Sequence, residues 1–318
     1  MSDARRKRTV TGRRLRVAIV GGGKVGSVLG RIMAEGGARV TAVVSRSRAS
    51  ARTAARFVRC GNYSTALTAI PPETDLVFIA TPHDAVADVA RTLARLEGLE
   101  FNRLAVCHAS GMLTAAVLEP LAVRGAAVFS FHPLQTFPRD FAPKDILPGA
   151  RGIYFGIDGQ PRGLRVARRL AAVMGGHVVE IPPPMREFYH AACVIASNHL
   201  TAMMGVVEAM YRTLRPSERS FYPVFRPIVE ATLANIGASG PAAALSGPIA
   251  RGGVDTVARH CEAIRQYAPE MLPYFTRMSL ETVRLAVAKG SLTPERREAL
   301  VRLIKTYTDD SPPARENT

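Results

Sequence analysis

VAIVGGGKVGSVLG, residues 17–30, is the stretch whose reading decides the fold. Four apolar residues in a row suit a short strand buried on both faces, and three glycines end it in a turn. SVLGRIMAEGG then reads as a helix closed by two glycines. Within the turn Gly21, Gly23 and Gly26 stand at G-x-G-x-x-G spacing. The first glycine permits the turn, the second lets the backbone approach a pyrophosphate, and the third lets helix and strand pack closely. Free N–H groups where the helix begins, at Lys24 and Val25, would complete an anion site. Strand, glycine turn and helix together point to a dinucleotide, with Gly21, Gly23, Lys24, Val25 and Gly26 as its contacts.

The same alternation continues outward from this unit. ARVTAVVS, TDLVFIATP, RLAVCHASG, AAVFSFHP, ARGIYFGI and HVVEI read as further strands, separated by helical segments such as DAVADVARTLARL. Strands rich in Val, Ile and Phe alternating with helices predict a mostly parallel sheet covered on both faces. After the prolines of IPPPMREF the apolar residues recur only at helical spacing. The expected organisation is a basic arm over residues 1–14 and an α/β domain over 15–181. An all-α domain over 182–308 and a polar tail over 309–318 follow, with both ends disordered.

The second strand ends VVSRSR. An acidic residue there would bind the 2′-hydroxyl of NAD, whereas Ser45 and Arg46 suit a 2′-phosphate, because guanidinium presents a fork of donors to phosphate oxygens. The expected cofactor is therefore NADP(H). Thr81 and Pro82, at the end of TDLVFIATP, stand where the chain should pass the cofactor's ribose.

The chain has 318 residues, 47% of them hydrophobic, and a formal net charge of +16. That charge raises nucleic acid as a partner, but its arginines are scattered and only 6% of residues are aromatic, so no stacking platform emerges and none is expected. Four scattered cysteines form no metal-binding or disulfide pattern. No apolar run reaches the 18–20 or so residues that span a bilayer. A soluble cytoplasmic protein without a membrane partner is expected.

Ligands of open α/β sheets bind beyond the carboxyl ends of the strands. Two such ends carry polar groups: CHASG, with His108, Ser110 and Gly111, and SFHPLQTF, with His132 and Gln135. Pro133 cannot donate to a ladder and holds His132 extended, so the strand is expected to stop there. Histidine is the side chain best poised to move the proton that accompanies a hydride. The helix YHAACVIASNHL adds His190, Asn198 and His199. At ~100° per residue His199 points about 180° away from His190, with Asn198 about 80° round. GPIARGG places Arg251 in a loop where it could clasp a carboxylate, and Gln135 is a second candidate for substrate.

Together VAIVGGGKVGSVLG, HASG, SFHPLQTF, YHAACVIASNHL and GPIARGG resemble the Rossmann-like proteins that carry a C-terminal domain of unknown function 2520 (DUF2520), a branch of the 6-phosphogluconate dehydrogenase-like superfamily. The resemblance covers all but the tails. It departs at Gly253, where an acidic residue is expected. It implies a helical C-terminal domain through which two copies dimerise. Prephenate dehydrogenases are similar in placing a Ser after the fifth strand, a His-Pro after the sixth and two histidines nine residues apart on a helix. That similarity implies active-site roles for Ser110, His132 and His199. The Lys that β-hydroxyacid dehydrogenases place four residues before the helix Asn is Val194 here.

The resulting expectation is an NADP(H)-dependent oxidoreductase acting on a small carboxylate-bearing metabolite: a 2-oxo acid, a cyclic imine or a prephenate-like acid. His132 would assist proton transfer with Ser110, and Asn198, His190 or His199 would complete the pocket. The rival from another class is a protein that binds NADP(H) as a sensor or scaffold without turnover.

Overall fold

A computed structural model describes residues 14–218 and 220–309. The basic arm and polar tail expected at the two ends lie, but for a residue at each junction, outside the described residues.

The first strand, β1 (Arg16–Val20), leads through the glycine turn into α1 (Lys24–Glu35). There follow β2 (Arg39–Val44), α2 (Arg48–Val58), β3 (Tyr63–Ser64), β4 (Leu76–Ile79), α3 (His83–Ala94) and β5 (Ala105–His108). After α4 (Glu119–Val123) come β6 (Ala127–Pro133), α5 (Pro143–Ile146), β7 (Tyr154–Gly159), α6 (Pro161–Val173) and β8 (His177–Glu180). His83 opens α3.

The strands form one eight-stranded sheet in the order β3-β2-β1-β4-β5-β6-β7-β8. Neighbours run parallel except β6 and β7. The mostly parallel α/β sheet expected from the sequence is thus observed. Two hydrophobic clusters cover its faces, one around Ile19, Leu29, Phe78 and Phe129, the other around Val20, Ile79, Leu93 and Val106. The strand order reverses between β1 and β4, where a crevice opens at the carboxyl edge of such a sheet.

β6 ends at Pro133, one residue beyond the His132 at which the sequence placed its end. Pairing with β5 stops at Ser130, opposite His108, but the antiparallel ladder with β7 runs on through His132 opposite Gly156 and Pro133 opposite Phe155. Leu134 N donates to Tyr154 O at 3.0 Å beyond it. Proline is tolerated because its absent N–H falls where β5 has already left the ladder.

The chain divides into two compact units, Met1–Ser197 and Asn198–Thr318. The division falls beyond the prolines at which the sequence placed it. Pro183–Met185 form a 3₁₀ turn into α7 (Arg186–Val194), and the side chain of Arg186 is buried in the first unit at 1% exposure. That anchor keeps α7 with the sheet. The helix then passes through a π-helical turn, Ile195–His199, where Ser197 Oγ donates to Cys193 O at 2.8 Å. Such back-bonding by serine loosens helical pitch.

In the second unit, α8 (Leu200–Leu214), α9 (Tyr222–Ala244), α10 (Val254–Tyr267), α11 (Leu272–Ala288) and α12 (Pro294–Asp309) make an all-α body. Its core gathers Val257, Cys261, Ile264, Leu272, Val283, Leu300 and Ile304. Among the described residues α8 buries only Tyr211 and α9 none. Pro183–Leu214 contains an 18-residue window of mean hydropathy 1.3, long and apolar enough to cross a bilayer by length and composition. The sequence reading missed this window because polar residues interrupt it.

Candidate active site

The glycine turn is built as its spacing predicted. Gly21 has φ +117°, and a Cβ there would meet Ala80 O at 2.5 Å, so the turn lies directly against the end of β4. A Cβ on Gly26 would lie 2.0 Å from Gly21 O, which excludes any larger residue where helix meets strand. Gly23, by contrast, faces open space, and as N-cap of α1 it offers no side chain to the first helical N–H groups. Those donors remain available to an anion.

Beside this turn Thr81 Oγ1 is buried with no hydrogen-bond partner. A buried hydroxyl without a partner in a native fold needs an explanation, and a bound ligand supplies one. At the end of β2, Ser45 is half-buried and Arg46 exposed. Ser47 is spent as the N-cap of α2, accepting from Ser50 N at 3.2 Å, and Arg48 lies over the Tyr63 ring, 5.8 Å from its centroid. Ser45 and Arg46 are therefore the groups of this loop left for a 2′-phosphate. The glycine cradle, the orphaned hydroxyl and the serine-arginine end of β2 fit an adenine dinucleotide.

His132 stands at the end of β6. Its Nδ1 lies 2.9 Å from the Tyr189 hydroxyl, and the two rings meet edge-on. The His190 ring is 6.0 Å from that of His132, centre to centre. A Cβ on Gly111 would lie 2.8 Å from His132 Nε2 and 3.0 Å from His190 Nε2. The two imidazoles thus close on Gly111 from either side, and glycine is what admits them. Ser110 Oγ accepts from Met112 N and Leu113 N, both at 3.3 Å. With its acceptor capacity committed to the loop, its own proton is left to donate outward.

Beneath this cluster lies a buried charge network that sequence reasoning did not find. Arg186 Nε donates to Gly111 O and Nη2 to Ser110 O, each at 2.9 Å. Nη1 pairs with Asp158 Oδ2 at 3.2 Å, with both side chains almost wholly buried. Asp158 also accepts from Ser130 Oγ at 2.5 Å and from Ala115 N at 2.6 Å. One guanidinium thereby fixes the loop that carries Ser110 and Gly111 to the strand that carries Asp158. The available signal was Asp158 itself, a carboxylate inside the apolar run IYFGID, which burial obliges to find a cation.

Burial, reinforced by the Arg186 charge and then by His190 and His108, pushes the His132 pKa down to about 3. His108 falls to about 4, chiefly through burial. Its Nε2 lies 3.1 Å from Thr114 O and its Nδ1 accepts from Ser110 N, so it is a structural member of the loop. Burial raises Tyr189 far above the usual phenol range. At neutral pH both His132 and Tyr189 are uncharged, so His132 is available as a neutral hydrogen-bonding imidazole.

The remaining candidates divide. His190 joins His132. Gln135 does not present a free amide: Nε2 donates to Gly149 O and Oε1 accepts from Thr136 N at 2.7 Å, so the side chain shapes its own loop. Asn198 and His199 lie in the π-helical turn, within the second unit. Ideal α-helical angles between them and His190 therefore do not apply. Arg251 is exposed and ends a 3₁₀ turn, with Gly252 behind it at φ +68°.

The chain matches a Rossmann-like domain over residues 1–133 and the domain of unknown function DUF2520 over residues 153–282. It is a Rossmann-like protein with a C-terminal DUF2520 domain, as the motifs implied. No curated protein sequence matches it. Among solved structures it is similar to a protein from Bacteroides fragilis provisionally named an NADP oxidoreductase. That pair shares 19% identity at TM-score 0.64, over 87% of this chain and 98% of the other. Protein TM1727 from Thermotoga maritima aligns at 20% identity and TM-score 0.62, over 92% and 98%. A reductive aminase from Aspergillus terreus in complex with NADPH and ethyl-5-oxohexanoate aligns at 15% identity and TM-score 0.52, over 95% and 96%. At these identities the likeness is one of fold.

Proposed function

We propose that the protein is an NADP(H)-dependent oxidoreductase of a small carboxylate-bearing metabolite. One observation carries this reading: the carboxyl edge of a single sheet holds both an open glycine cradle beside an unpartnered buried hydroxyl and a pair of imidazoles closing on Gly111. The nicotinamide supplies or accepts hydride when bound. Gly21, Gly23 and Gly26, with Lys24 and Val25 at the helix start, hold the pyrophosphate; Thr81 and Pro82 flank the ribose. Ser45 and Arg46 take the 2′-phosphate. The Bacteroides and Aspergillus proteins, with NADP or NADPH in their descriptions, support that choice of cofactor.

His132 and Ser110 hold the reacting oxygen of the substrate, with His190 beside them. In the second unit, Asn198 and His199 are the polar candidates and Arg251 the candidate for a substrate carboxylate. The apolar, uncovered faces of α8 and α9, with Val224, Ile228 and Leu233 exposed, pack against a second copy, forming a homodimer through the helical unit. A dimer that covers these helices accounts for the hydropathy of Pro183–Leu214 without a membrane, and a cytoplasmic location is part of the same proposal.

Fluorescence titration with NADPH and NADH tests the cofactor, and a screen of 2-oxo acids, cyclic imines and prephenate-like acids for NADPH consumption tests the reaction. Tighter binding of NADPH with turnover of one such acid is expected. Equal affinity for both nucleotides rejects the 2′-phosphate assignment, and saturable NADPH binding with no turnover favours a sensor.

A further inference from the structure

We propose that Tyr189 is a positioning residue: its hydroxyl donates to His132 Nδ1 and so keeps the ring proton on Nε2, making His132 a neutral N–H donor for a substrate oxygen.

A neutral imidazole carries one proton, and the nitrogen that accepts a hydrogen bond dictates which nitrogen keeps it. Nδ1 and the Tyr189 hydroxyl are 2.9 Å apart. Tyr189 also hydrogen-bonds Cys193, one helical turn on. Of the two acceptors offered to the phenolic proton, imidazole nitrogen is stronger than sulfur. The hydroxyl therefore donates to Nδ1 in preference to the Cys193 sulfur. That leaves the proton on Nε2, which faces away from Tyr189 and toward Gly111 and His190. Among the described residues Nε2 has no hydrogen-bond partner.

The groups around His132 enforce the same state. Arg186 lies beneath, His190 and His108 flank it, and each opposes a second proton on the ring. Arg186 is 5.5 Å from the Tyr189 ring centroid. Gly156 makes the room, since a Cβ there would lie 2.4 Å from the Tyr189 oxygen.

Resting on the oxidoreductase reading, this tautomer selects among its substrates. An N–H donor stabilises the developing negative charge on a carbonyl oxygen. It offers nothing to an iminium cation, which calls for a carboxylate. Within this cluster the one carboxylate among the described residues is Asp158, 4% exposed and committed to Arg186, Ser130 and Ala115 N. The site accordingly takes a 2-oxo acid, or the matching hydroxy acid, ahead of a cyclic imine.

Nitrogen-15 NMR of the full chain labelled at histidine, with His132 assigned by loss of its signals in His132→Gln, reads the tautomer directly. A protonated Nε2 and a bare Nδ1 are expected from pH 8 to 5. In Tyr189→Phe the Nδ1 signal should move toward a tautomer mixture. Should that variant not fold, a tyrosine hydroxyl proton coupled to His132 Nδ1 in the unmodified protein carries the same information. A proton on Nδ1, or a tautomer unchanged in Tyr189→Phe, overturns the assignment. Adding phenylpyruvate should shift the Nε2 signal; a shift with 1-pyrroline-2-carboxylate alone, or with neither, overturns the substrate preference. NADPH titration of the same samples reads the oxidoreductase proposal separately, because the tautomer is measured without cofactor or turnover.

Discussion

His132 and Gly156 face one another across the antiparallel pair β6–β7, and the side chain missing from Gly156 is the space the Tyr189 hydroxyl occupies. A methyl group there meets ring and oxygen together, at 2.4–3.2 Å. Gly156→Ala should therefore push Tyr189 off His132 and lower NADPH-dependent turnover by about 100-fold, the scale of a 1 Å misplacement. NADPH affinity should be unchanged. Gly61→Ala, with nothing within 4 Å of the added carbon, is the control. Equal loss in both variants, in steady-state assays, would sever Gly156 from the site.

The Arg186–Asp158 pair makes a stability statement. Removing one partner of a buried pair strands the other charge and costs about 3–5 kcal/mol. Asp158→Leu or Arg186→Met alone should lose that much in urea unfolding, whereas the two combined should recover part of it. The recovery is incomplete because Ala115 N and Ser130 Oγ lose their acceptor. Additive effects in this double-mutant cycle would mean the two side chains do not act as a pair.

What was legible in the sequence follows from range. The glycine turn, the alternation of strands and helices and the helical second half are set by local periodicity and backbone demands, so residues 17–30 alone were enough to place the cradle. His132 and Ser110 were visible as polar groups at strand ends. His190, found on a helix, is brought to His132 by a fold that periodicity does not encode. Arg186, Tyr189 and Gly156 were missed because each acts across the sequence, the Arg186 to Gly111 bond spanning 75 residues. The angular argument about His190 and His199 rests on a premise that the structure does not meet. It assumed α-helical pitch through Ile195–His199, where the chain adopts a π turn.

Acid should weaken the fold through two histidines. The folded His108 and His132 have pKa values of about 4 and about 3, against 6.5 for the free side chain. The unfolded chain thus binds more protons than the native one below pH 6.5, and stability rises with pH through that window. It is level above pH 6.5 as far as these two groups go and falls as pH drops toward 4 and then 3. For fully buried His108 the difference is on the order of 3 kcal/mol. Unfolding of His108→Asn, measured from pH 7 to 4, should show a shallower slope than the unmodified protein. An identical slope would remove His108 as a source of the acid sensitivity.

Arg46 is where the proposed choice of nucleotide can be tested. It is exposed at the end of β2, while its neighbours Ser47 and Arg48 are engaged in capping α2 and in stacking on Tyr63. A hydrogen bond to a charged group contributes about 1.5–3 kcal/mol. Arg46→Ala should therefore weaken NADPH binding by roughly 10- to 100-fold and leave NADH binding as it was, because NADH offers no 2′-phosphate to lose. Arg46→Glu should go further and invert the preference, since a carboxylate repels the phosphate and accepts from the 2′-hydroxyl of NADH. Titrating each variant with both nucleotides at two salt concentrations separates a direct contact from the general field of a chain carrying +16. A contact keeps most of its discrimination in salt, whereas a field effect fades, and a loss shared equally by NADPH and NADH would assign Arg46 to the pyrophosphate or to the fold instead.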